Sequence, residues 1–207
     1  AISIDILHMH IYGECRPFGQ ELTACARRLI ANAPLERHDQ GLDHALGELI
    51  KRFLVGAAAE NAAHQLLERI RKGIDEYTIS RYDFSETLRA LFAAQPMLAL
   101  EALIGDGDQN EDESASFIRH GALAGGRRTG ALLSIPEDAL LGWCRAGTGS
   151  ERWGRVAPVL PAFEASADDA QLKWSNGVKA LLAHAPDPVA VAKALLDVLA
   201  PMSWSGS

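Results

Sequence analysis

The stretch Leu172–Ala200, LKWSNGVKALLAHAPDPVAVAKALLDVLA, decides the fold class. Trp174, Val178, Leu181 and Leu182 recur at i, i+4, i+7 and i+8, one apolar stripe of an α-helix. Pro186 ends that helix, because proline disfavours helical geometry in the residue before it. Asp187 then stands as an N-cap, with Pro188 at the first helical position, where its missing N–H costs nothing. Val191, Ala192, Leu195, Leu196 and Leu199 form a second stripe, so the stretch reads as a short-loop αα-hairpin. The conformational entropy of ordering about 30 residues exceeds what so few large apolar side chains return on burial. The hairpin must therefore lie against a neighbour, which is the logic of helical repeat arrays.

The rest of the chain bounds that reading. Aromatic residues make up only 6% of the 207, and such scarcity favours helix over sheet. With 48% hydrophobic and 23% charged residues, the composition is that of a soluble globular protein. No apolar run approaches the ~20 residues that a membrane span needs. The N-terminus lacks the basic region and cleavage site of a secretory signal. A net charge of −7 argues against nucleic acid as a partner, since such binders carry a basic balance. Cys15, Cys25 and Cys144 are odd in number and form no CxxC, which points to idle thiols in a reduced, cytoplasmic setting.

Along the chain, Ile2, Ile4 and Ile6 alternate like a strand, whereas Ile4, Leu7 and Ile11 fit a helix. Helix is preferred because the following segments offer no strand partner. Helices are expected over 20–31, 42–55 and 57–74, with breaks at Pro34 and Gly56 and with Gly73 closing the last. Glu68 and Lys72 have the spacing of an i,i+4 pair. From Asp83 onward the layout repeats. Asp83-Phe84-Ser85-Glu86, Ser134-Ile135-Pro136-Glu137 and Thr148-Gly149-Ser150-Glu151 each read as a capping box before an apolar helix. Gln95-Pro96 restarts the chain into Met97–Ile104, ended by Gly105. Leu91-Phe92-Ala93-Ala94-Gln95-Pro96 overlays Leu181-Leu182-Ala183-His184-Ala185-Pro186, with Leu141–Ala146 between them.

The two-helix units from Asp83 to Ala200 resemble HEAT-like α-superhelical repeats, whose units run to roughly 40–47 residues. Ile135-Pro136-Glu137-Asp138, with Leu140-Leu141 and Trp143-Cys144, is also similar to helical regions of large bacterial multidomain proteins. The first 80 residues fit as generic helix pairs. The resemblance implies a scaffold or partner-binding role and transfers no catalytic residue.

Several groups of residues have the types that chemistry uses. Asp5, His8 and His10 would bring two imidazoles to one side of a strand, as in metal-dependent hydrolase barrels. The chain is too short and too poor in strands for a barrel of about 250 residues. Gly121–Thr129, GALAGGRRT, mimics a phosphate loop, but arginine replaces lysine and one residue is extra. Asp106, Asp108, Asn110 and Asp112 alternate as in a calcium loop, yet Glu111 and Phe117 stand where glycine and glutamate are required. Asp168 with Asp169, and Glu36 with Asp39, offer paired carboxylates with no histidine or nucleophile beside them. Trp143, Trp153, Trp174 and Trp204 fall near helix ends and read as core packing rather than a binding patch.

The expectation is therefore an all-α chain of stacked antiparallel helix pairs, HEAT- or armadillo-like, without significant sheet. It is a single domain over 1–207, a fragment of a longer chain, with an acidic and then Gly/Arg-rich insertion at 105–134. Its expected role is that of a non-catalytic scaffold binding a protein or a neighbouring domain of the same chain. No catalytic residue, metal ligand or cofactor is assigned, and neither nucleic acid nor membrane is an expected partner. The alternative is a HEAT-like nucleic-acid enzyme such as a DNA glycosylase. It would need a basic concave face lined with Trp and an Asp, and the net charge and the scattered Arg27-Arg28, Arg69-Arg71 and Arg127-Arg128 pairs weigh against it.

Overall fold

Apolar residues at helical spacing, punctuated by proline and glycine, produce an all-helical chain. The computed structural model describes residues 3–11, 18–37, 40–79, 84–105, 135–147, 151–156 and 178–199. They form α1 (Ile4–Ile11), α2 (Gln20–Ala31), α3 (Gln40–Phe53), α4 (Glu60–Asp75), α5 (Ser85–Ala94) and α6 (Pro96–Ile104). After these come α7 (Glu137–Ala146), α8 (Glu151–Val156), α9 (178–184) and α10 (Pro188–Leu199). Single 3₁₀ turns at Leu35–Arg37 and Ala57–Ala59 lead into α3 and α4. Among the described residues there is no strand.

The helices pack in two rows. α1, α3 and α5 lie side by side, and so do α2, α4 and α6, while α1–α2, α2–α3 and α5–α6 touch across the rows. Contacts at helix ends give the directions. Asp43, early in α3, reaches the first turn of α5, and Gln95, just past α5, reaches Leu54, just past α3. α3 and α5 therefore run parallel and in step. The Phe18 ring, before α2, stacks on Phe53 at the end of α3 at 5.2 Å between centroids. α2 thus runs antiparallel to α3. Beyond α6 the chain continues through α7 to α8, and α8 in turn meets α10.

The core lies between and within the rows: Leu46, Leu49 and Ile50 of α3, Leu66 and Ile70 of α4, and Leu88, Leu91 and Phe92 of α5 are all fully buried. Among the described helices the α3–α5 contact is the most extensive. It depends on Gly47, where a Cβ would come within 3.1 Å of both Cβ and the carbonyl oxygen of Glu86.

Several local signals translate directly. α1 is a helix, with Ile4, Leu7 and Ile11 buried. Asp187 caps α10, its Oδ1 accepting the Val189 and Ala190 N–H groups at 3.1 and 3.0 Å. Gln95-Pro96 separates α5 from α6 with proline at the helix start. Gly56, at φ +79°, makes the break after α3.

Others are corrected. Gly73 does not close α4 but sits inside it, because the turn that follows folds back onto it. A Cβ there would meet Ile79 Cγ2 at 2.8 Å, and the Gly73 carbonyl accepts the Thr78 N–H at 2.9 Å. The left-handed residue that ends the helix is Tyr77, at φ +54°. Lys72 pairs with Glu76 and Glu68 with His64 (3.7 and 3.6 Å), rather than Glu68 with Lys72. Leu196, expected on the inner stripe of α10, is 65% exposed, while Val191 and Leu195 are buried. Pro136 holds the N-cap position of α7 without a side-chain bond, so Glu137 opens the helix instead of closing a box begun at Ser134. Ser134, Trp174, Trp204, residues 148–150 of the third box and the insertion beyond Gly105 fall outside the described residues.

Gly47→Val should destabilise the fold by about 1–3 kcal/mol, the usual cost of overpacking. Denaturant unfolding would show it as a lowered midpoint with an unchanged slope.

Candidate functional site

Helix ends leave backbone groups that cannot pair within their own helix. In this chain the polar side chains lying between helices mostly answer those groups. Arg52 of α3 donates to the Ile11 carbonyl at the end of α1 (3.2 Å). Arg27 of α2 donates to the Phe53 carbonyl at the end of α3 (2.9 Å) and to that of Ala58 (3.0 Å). From α4, Arg69 reaches the Ala31 carbonyl ending α2, and Arg71 reaches Ala102 near the end of α6, both at 3.1 Å. Gln95 Nε2 donates to the Leu54 and Gly56 carbonyls at 2.7 and 3.0 Å. A cation at a helix C-terminus also meets the negative end of the helix dipole, so these bonds are favoured twice.

Asp43 does the converse. Its carboxylate accepts the Glu86 and Thr87 N–H groups at 3.0 and 2.8 Å and so caps α5 from a position 43 residues upstream. The Ser85 hydroxyl adds a longer bond of 3.4 Å. The sequence expects a local box beginning at Asp83. Phe84 holds the N-cap position without a side-chain bond, and Asp83 lies outside the described residues. Burial pushes the Asp43 carboxyl above its ordinary value of 3.8, and the two backbone bonds pull the other way without cancelling it.

A third group joins α6, α7 and α8. The buried Trp143 indole donates to Glu101 Oε2 at 2.7 Å. Arg152 lies over the Trp143 ring at 4.6 Å, pairs with Glu101 Oε2 at 3.1 Å and donates to the Trp143 carbonyl at 3.2 Å. Beside it, burial drives the Cys144 thiol up to about 12, against the weaker opposing pull of Arg152 and Arg145. A thiol in that state is a packing group and not a nucleophile.

Perturbed acidities are signposts for active sites, but packing accounts for both of these. The sequence candidates do not converge either. On the helix α1, residues two apart point to opposite sides, so His8 and His10 diverge. His8 packs edge-on against His44 at 5.5 Å between ring centroids. Trp143 and Trp153 are buried and form no aromatic patch. Arg27, Arg69 and Arg71 are directed at carbonyls rather than held outward for phosphate. Glu36 is exposed at the rim of a shallow cleft, while Asp39, the 106–112 acidic run, Gly121–Thr129 and Asp168-Asp169 lie outside the described residues.

That cleft, between the Leu35–Arg37 turn and the end of α4, measures about 110 Å³ and is lined by Leu35, Arg69, Lys72, Glu76 and Thr78 among others. Ligand pockets commonly span about 300–1,000 Å³. Among the described residues no group of three His, Cys, Asp or Glu side chains is placed to hold a metal. None of the described helices is long and apolar enough to cross a membrane. Comparison with protein-family models, curated proteins and solved structures finds no match.

Two measurements follow from this geometry. Because the folded Asp43 binds its proton more readily than the unfolded chain, its protonation adds stability. That contribution is complete below pH 3.8 and is lost as pH rises through the raised folded value. Asp43→Asn should remove this component, so the stability difference between wild type and variant shrinks as pH rises through that window. A pH-independent difference would refute the assignment. Native Cys144 should resist thiol alkylation at pH 8 and become reactive only in denaturant, as read by mass spectrometry of the labelled peptides.

Proposed function

We propose that this chain is a non-catalytic segment of HEAT-like helical repeats that presents a surface of stacked helices to another protein or to a neighbouring domain. The observation supporting it most directly is the alternation of α1–α6, odd helices on odd and even on even, which is how successive helix pairs stack in repeat arrays. Side chains that could perform chemistry serve this stacking. The carboxylate of Asp43 caps a helix, and the guanidinium groups of Arg27, Arg52, Arg69 and Arg71 are turned to backbone carbonyls.

The surface remaining after these ties is divided by row. α4 presents Glu60, His64, Glu68, Lys72 and Glu76 outward, and α1 presents Ile6, Met9 and His10. In this reading one of the two rows is the docking face.

The test uses charge substitutions kept off the ties: Ile6→Asp with Met9→Asp on the odd row, and Glu60→Lys with Glu68→Lys on the even row. Partners captured by the wild-type chain are identified by mass spectrometry and then compared for the two variants, with helicity monitored by circular dichroism. The expected result is loss of one partner by one variant only, at unchanged helicity. Equal capture by wild type and both variants would overturn the proposal. A DNA affinity that falls steeply with added salt would overturn it in favour of a nucleic-acid enzyme. Binding to duplex and single-stranded DNA is expected to be undetectable at low ionic strength.

A further inference from the structure

We draw no further inference here: the strongest candidate, the outward face of α1 at the edge of the odd row, where Ile6 and Met9 are 53% and 71% exposed, is an unpartnered apolar face, and nothing in the structure shows what covers it.

Discussion

The carbonyls at the end of an α-helix have no partner within it, and a helix packed against other helices must find one for them or leave them to water. Here an arginine from a neighbouring helix supplies it repeatedly. Arg52 closes the end of α1, Arg69 that of α2 and Arg27 that of α3, while Arg71 reaches the last turn of α6. A long side chain suits this role because its methylene stem lies along apolar surface while the guanidinium reaches the polar end. Apolar burial supplies the bulk of the driving force but is non-directional. The ties supply direction, since each one is satisfied at a single register of one helix against the next.

The same economy governs the polar side chains that join more than one helix. Asp43 stands where α3 meets α5, and Glu101, Trp143 and Arg152 stand where α6, α7 and α8 meet. The raised pKa values of Asp43 and Cys144 follow chiefly from burial at these joints.

Much of the architecture was legible along the chain. The stripe in 20–31 marks α2 to the residue, and Asp187-Pro188 marks the start of α10 down to its capping bonds. Gln95-Pro96 and Gly56 mark breaks through backbone restrictions that act within one or two residues. Gly73 was misread because a glycine inside a helix looks the same in sequence whether it ends the helix or admits a close neighbour. Ile79, folding back from the next turn, is what requires it. Leu196 was misread because periodicity assigns a residue to a stripe without saying how wide the neighbour covering that stripe is.

Apolar spacing, with proline, glycine and capping residues, specifies the helices, most of their breaks and the lack of strands among the described residues. Those signals act over a few residues. Which helices lie together, and what the charged residues between them do, is set by the stacking itself. Its polar ties join positions up to 51 residues apart, and no short-range pattern marks either end of them. Asp43 looks like an ordinary acidic residue in the first turn of α3, and Arg27, Arg69 and Arg71 like scattered cations. Stacking gives each its meaning, by bringing it to a helix end that has backbone groups to satisfy.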